Sequence, residues 1–110
     1  MSGFVEKRKL PRVEVRWPVR MITEKGSLEG EARNISAGGV FILFKHSIEN
    51  LALNETYLLL IDPAGAKIEV MGKPVWSNPG IPAGLGLCFV EISEGDRELL
   101  QEAIQKYAEE

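Results

Sequence analysis

A regular alternation of apolar and polar residues over residues 13–21 constrains this chain more than any other feature. The apolar positions are Val13, Val15, Trp17, Val19 and Met21. Successive side chains of a β-strand point to opposite faces, so this pattern predicts a strand with one buried face. Pro18 interrupts the polar face and cannot donate a ladder hydrogen bond, which predicts an edge position or a bulge there.

Five further segments have strand-like sequences and are separated by turn residues. They are residues 28–35, 40–44, 56–61, 67–77 and 84–92. Short strands with turns every eight to twelve residues or so are typical of a closed antiparallel barrel or a sandwich. The sequence therefore predicts an all-β-dominated domain of six strands.

Two of these segments leave the direction of some side chains open. Gly72-Lys73-Pro74 predicts a bulge or bend in the fifth segment, where Ile68, Val70 and Trp76 are expected to share a face. Both tryptophans are expected in the core, unless one of them lines a pocket. Two inward faces are possible for the sixth segment: Leu85, Leu87 and Phe89, or Cys88 and Val90. Its apolar neighbours favour Cys88 as a small buried hydrophobic residue.

The end of the chain changes its hydrophobic period from two to a helical one. Spacings of three and four relate Leu99, Leu100, Ala103, Ile104, Tyr107 and Ala108. This predicts an amphipathic helix over about residues 94–109, capped by Ser93 or Asp96, that covers one opening or face of the barrel. The predicted organisation is a flexible basic segment over residues 1–12, followed by one barrel domain over residues 13–110.

Composition excludes several classes of protein. The longest uncharged apolar run, residues 57–61, is too short to span a bilayer, and the first residues do not resemble a secretory signal. Cys88 is the single cysteine, which fits a reducing cytoplasm. His46 has no metal-ligand spacing around it, and no acid–base or nucleophile pair is visible. We therefore expect a cytoplasmic protein that is neither an enzyme nor a metal or cofactor protein, without membrane insertion.

Charge is distributed unevenly along the chain. The net charge is −3, yet the first twenty residues contain Lys7, Arg8, Lys9, Arg12, Arg16 and Arg20. One explanation is that these charges solubilise a flexible terminus; the other is a local anion site. A pI near 5.3 and an aromatic content of 7% disfavour binding of a nucleic-acid polymer.

Two clusters of residues have chemistry suited to a ligand. Arg8-Lys9-Leu10-Pro11-Arg12 carries two guanidinium groups, which can bind phosphate or guanine bidentately. Asn34, Ser36 and Gly39 form an Asn-x-Ser-x-x-Gly pattern that offers an amide and a hydroxyl to a base, with glycines that permit positive φ and close backbone approach. In isolation, the second cluster favours a turn whose side chains bond their own backbone over a ligand site.

Together the two clusters resemble the PilZ domain family. Its pattern is R-x-x-x-R and, roughly twenty to thirty residues later, [D/N]-x-S-x-x-G; here 21 residues separate Arg12 from Asn34. The segments "PVWSN", "GLGLCFVEI" and "DRELLQEAIQKYAEE" continue the resemblance to the end of the chain. The resemblance implies a six-stranded β-barrel with a flanking C-terminal helix.

The resemblance also implies a ligand, cyclic di-GMP, often bound as a stacked pair. By motif position, Arg8 and Arg12 would contact guanine and phosphate, Asn34 and Ser36 would bind a guanine, and Gly39 would leave room for the ligand. Lys9, Arg33 and Gly38 are additional candidate contacts. The N-terminal segment is expected to fold over the ligand and so change the surface seen by an unidentified effector protein. The alternative is a PilZ-fold adaptor that binds proteins and not the nucleotide.

Overall fold

The computed structural model describes residues 12–63, 65 and 67–109, and the fold is a closed six-stranded barrel with one helix. The elements are β1 (Val13–Thr23), β2 (Gly26–Ser36), β3 (Gly39–Phe44), β4 (Tyr57–Ile61), β5 (Ile68–Asn78), β6 (Ala83–Ile92) and α1 (Glu94–Glu109). Every strand pair is antiparallel, and the order around the barrel is β1-β2-β3-β6-β5-β4. The predicted fold class is confirmed, and closure selects the barrel over the sandwich.

The predicted strand β1 is confirmed, and its side chains alternate between buried and exposed as the sequence pattern indicated. Val15, Trp17, Val19 and Met21 are all buried in the barrel interior, while the residues between them are exposed. The predicted irregularity lies just before Pro18, because the register of β1 against β2 shifts between Glu14 and Trp17. Pairing of β1 with β4 begins only at Val19, so Pro18 lies outside that ladder.

Two expectations about the last strands are wrong. Trp76 is 54% exposed, because a register shift between Pro74 and Trp76 reverses the direction of the side chains that follow. Cys88 is exposed, since Leu85 and Leu87 occupy the inward positions of β6. The first of the two alternatives for β6 is therefore the observed one, with Phe89 half-buried.

The helix packs against the barrel through one apolar stripe. Leu100 and Ile104 are buried, and α1 packs against β5 and β1. The Ser93 hydroxyl accepts a hydrogen bond from the N–H of Asp96 at 3.1 Å, which confirms Ser93 as the cap. Within the described part of the chain, no helix has the length and apolar character needed to cross a membrane.

Candidate ligand-binding site

The β1–β2 hairpin brings Arg12 of the first sequence cluster close to the second cluster. Each strand has 11 residues, and Val13 pairs with Ile35 at the open end of the hairpin. Arg12 comes immediately before β1 and Ser36 is the last residue of β2, so the two residues come to the same end. Arg12 is exposed, and it lines one open depression of about 490 Å³ together with Ser36, Gly38 and Gly39. We call this depression the motif compartment.

Ser36 has a structural role that the sequence left open. It is buried, and its hydroxyl oxygen accepts a hydrogen bond from the N–H of Gly38 at 3.2 Å. The carbonyl of Gly38 in turn accepts a bond from the N–H of Phe89 at 2.9 Å, which ties the turn to β6. Because a hydroxyl both accepts and donates, the proton of Ser36 still has the capacity to donate to a ligand.

Gly39 is required by strand pairing. A Cβ atom at position 39 would lie 2.6 Å from the carbonyl oxygen of Leu87, on the neighbouring strand β6. Its φ lies outside the left-handed region, so the glycine permits close backbone approach and not an unusual turn. The position of such a Cβ atom is thus occupied by β6, while Gly39 also lines the motif compartment, and its expected role beside a ligand stays a prediction.

An aromatic pair forms a wall of the motif compartment. Phe41 on β3 and Trp76 on β5 both pair with Gly86 on β6, so they lie on either side of it. Their ring centroids are 5.6 Å apart, with the planes at 49°. Sequence analysis missed this wall, although the prediction allowed one tryptophan to line a pocket. The sequence feature that could have predicted the wall is the Gly-x-Gly segment of β6, because its small residues leave room for aromatic side chains on the neighbouring strands.

Asn34 and Arg33 line a neighbouring depression instead. This second depression, of about 500 Å³, also includes Glu14 and Arg16 from β1 and Tyr107 from α1. We call it the helix-end compartment. Asn34 lies opposite Glu14, and the β2–β3 register shifts between Ala32 and Asn34. The candidate residues are therefore divided between two compartments, with Arg12, Ser36, Gly38 and Gly39 in the first.

Two candidate residues of the first cluster are not among those that the structure describes. Arg8 and Lys9 lie outside the described residues. Among the residues that are described, no group of three or more His, Cys, Asp or Glu side chains is arranged to hold a metal ion.

The guanidinium of Arg33 is 3.8 Å from the carboxylate of Glu31, a partly exposed ion pair. Such a pair stabilises the fold little and leaves the arginine available to an anion.

Comparison with known proteins supports one fold. A sequence profile of the PilZ domain matches residues 6–106, and no curated protein sequence matches. The inhibitor of motility MotI/DgrA of Bacillus subtilis has a TM-score of 0.75 at 22% identity, covering 94% of this chain and 52% of that one. The chain thus spans about half of that protein.

Two isolated domains give a similar result. The PilZ domain of YcgR from Escherichia coli, solved with c-di-GMP, has a TM-score of 0.78 at 12% identity and covers 94% of this chain and 92% of that one. The PilZ domain of CeSA from a cellulose-synthesizing bacterium has a TM-score of 0.62 at 13% identity, with coverages of 86% and 96%. At these identities the likeness concerns the fold.

Proposed function

The chain belongs to the PilZ domain family, and on that premise we propose that it is a cytoplasmic, non-enzymatic receptor for cyclic di-GMP. Binding would change the surface that it offers to a partner protein. The observation that carries this proposal is the motif compartment, in which Arg12, Ser36, Gly38 and Gly39 line one surface depression. Residues from two distant parts of the sequence meet there, and the exposed Arg12 among them has no role in the core.

The motif compartment offers groups that match each part of a guanine nucleotide. The guanidinium of Arg12 can bind phosphate, or the O6 and N7 acceptors of guanine, through two parallel hydrogen bonds. Ser36 can donate its hydroxyl proton to an acceptor, and the exposed ring of Trp76 can stack on a purine face. Asn34, at the edge of the neighbouring compartment, adds an amide that pairs with a base edge.

The magnitudes are sufficient for a useful affinity. Hydrogen bonds to charged groups contribute about 1.5–3 kcal/mol each, and base stacking on an aromatic side chain contributes about 1–3 kcal/mol. After an association cost of about 4 kcal/mol or more, the roughly −8 kcal/mol of a micromolar complex needs about four or more such contacts. The PilZ domain of YcgR was solved with this ligand, which supports the choice of nucleotide. We extend the proposed site to Arg8, Lys9 and Arg33.

One observation favours the alternative function, an adaptor that binds protein and not nucleotide. Val75, Trp76 and Val90 are apolar side chains exposed on β5 and β6, at 68%, 54% and 51%. Exposed apolar side chains on neighbouring strands are typical of a protein-binding surface. Both functions can use this surface, so the distinction depends on whether the nucleotide binds.

Isothermal titration calorimetry with cyclic di-GMP tests the proposal. We expect binding by the wild-type protein and a loss of about 1–3 kcal/mol in Arg12→Ala, since that change removes a charge-assisted contact. The matched control is Arg20→Ala. Arg20 is an exposed arginine of β1, the strand that Arg12 precedes, but it lies near the hairpin turn and pairs with Glu29 at 3.3 Å.

The outcomes separate the two functions. Equal weakening by Arg12→Ala and Arg20→Ala would indicate general charge attraction and not a site. No heat and no thermal shift for the wild-type protein at millimolar ligand would refute the receptor and leave the adaptor.

A further inference from the structure

The helix-end compartment has the composition of a second nucleotide site. Arg16 on β1 and Arg33 on β2 contribute guanidinium groups, and Glu14 contributes a carboxylate. Tyr107, in the last turns of α1, contributes an aromatic ring that is 42% exposed. Arg16, Glu14 and Tyr107 belong to neither of the two sequence clusters.

These groups complement a guanine nucleotide specifically. A carboxylate accepts hydrogen bonds from the N–H groups of guanine, whereas adenine presents an acceptor at the corresponding ring nitrogen. Two guanidinium groups suit a phosphate, and an exposed tyrosine ring suits a purine face. With a base-binding carboxylate, two phosphate-binding cations and a stacking ring, the compartment is suited to one guanine nucleotide unit.

The two compartments adjoin each other. Asn34 is two residues before Ser36 on β2, and Glu14 is two residues after Arg12 on β1, directly opposite Asn34. Two residues along a strand span roughly 7 Å. A ligand with two guanine units can therefore extend from one compartment into the other, and so can a second ligand molecule stacked on the first.

Tyr107 connects this compartment to the interior. Its ring makes an edge-to-face contact with Trp17, with centroids 5.4 Å apart and planes at 79°. Trp17 is buried, and its indole nitrogen has no hydrogen-bond partner among the described residues. Any displacement of Tyr107 by a ligand therefore alters the environment of a buried tryptophan and the end of α1 together.

We propose that Glu14, Arg16, Arg33 and Tyr107 bind a second guanine nucleotide unit, so that the end of α1 is part of the ligand site. The inference rests on the proposed function, because the same ligand fills both compartments. The second unit is either the other half of one cyclic di-GMP molecule or half of a second molecule. The stoichiometry of binding distinguishes these two sources.

Calorimetry with cyclic di-GMP on matched arginine variants provides the first test. We expect Arg16→Gln to weaken binding roughly tenfold through loss of a charge-assisted contact. Arg20→Gln, four residues along the same strand and paired with Glu29, should bind as the wild type does. A ratio of one ligand per chain assigns both units to one molecule, and a ratio of two assigns them to two molecules.

Nuclear magnetic resonance on the wild-type protein provides a test that does not depend on the folding of a variant. The chain has two tyrosines, Tyr57 and Tyr107. Saturation with cyclic di-GMP should shift the ring resonances of Tyr107, identified in a Tyr107→Phe sample. The resonances of Tyr57 should stay in place, since its hydroxyl is bonded to Ala52 in a separate depression near the hairpin turn.

The results separate this inference from the proposed function. If the wild-type protein binds, Arg12→Ala weakens binding, and both Arg16→Gln and the Tyr107 resonances are unchanged, the second compartment is refuted while the receptor stands. Absence of binding by the wild-type protein refutes both.

Discussion

A methyl group at position 39 tests whether the motif glycine serves the barrel or the ligand. In Gly39→Ala the new Cβ atom would lie 2.6 Å from the carbonyl oxygen of Leu87. That oxygen belongs to the backbone of β6, which pairs with β3 at this point, so it cannot rotate away as a side chain can. The strands must separate locally to accept the methyl group.

The size of the effect follows from two opposing contributions. Inserting a methyl group into a well-packed site costs about 1–3 kcal/mol. Replacing glycine by alanine reduces the conformational entropy of the unfolded chain, which stabilises the folded protein by about 0.4–1 kcal/mol. The expected net loss in the free energy of unfolding is about 1–2 kcal/mol, which lowers the Tm of a domain of this size by about 5–15 °C.

Thermal and urea denaturation followed by circular dichroism measure this loss, and Gly86→Ala is the matched control. Gly86 lies on the neighbouring strand, but a Cβ atom there would meet its nearest atom, Cβ of Trp76, at an ordinary 3.6 Å. We expect Gly86→Ala to change stability by at most about 0.5 kcal/mol. Wild-type stability of Gly39→Ala combined with lost binding of cyclic di-GMP would refute the argument and assign the glycine to the ligand.

Two further predictions concern the helix and the far end of the barrel. Leu100→Ala should lower the free energy of unfolding by about 2–5 kcal/mol in urea titrations, because Leu100 is 1% exposed; Leu99, 40% exposed, should tolerate the same change within about 1 kcal/mol. Burial, with Glu55 and Glu24 nearby, raises the pKa of Tyr57 above 10.0. The unfolded state then loses this proton first, so stability should fall as pH rises past about 10, and less steeply in Tyr57→Phe. Equal slopes for both proteins in urea titrations between about pH 8 and 11 would contradict this.

The strands were predictable where one regular pattern extends over a whole element. β1 is such a case, since its alternation matches its burial to the end. β5 shows the limit, because alternation is preserved to Pro74 and then Val75 and Trp76 are both exposed. Gly72-Lys73-Pro74 indicated an irregularity, but the residue at which a register shift occurs depends on the pairing with β6, and the sequence of β5 alone does not contain that information.

The candidate site was also predictable only in part from the sequence. Arg12 and Ser36 share a compartment because the hairpin aligns them, and the spacing of the two clusters carries that information. Asn34 lines a different compartment, beside Arg33 and Glu14, and the motif spacing alone does not show this separation. The position of Tyr107 beside β1 depends on how the helix packs across the barrel, and its helical spacing predicts only that it lies on the apolar stripe.

The β1–β2 hairpin has a consequence for how a domain of this fold can vary in length. Its strands pair from Val13 with Ile35 to Thr23 with Gly26, and the turn lies at the end opposite Arg12 and Ser36. Adding two residues to each strand would move the turn outward and keep both halves of the site face to face. A single residue added to one strand would invert every later side chain of that strand unless a β-bulge absorbs it, as the register shift between Glu14 and Trp17 does in β1. The interval between the two motifs can therefore change in length, provided that each added residue is either paired across the hairpin or absorbed in a bulge.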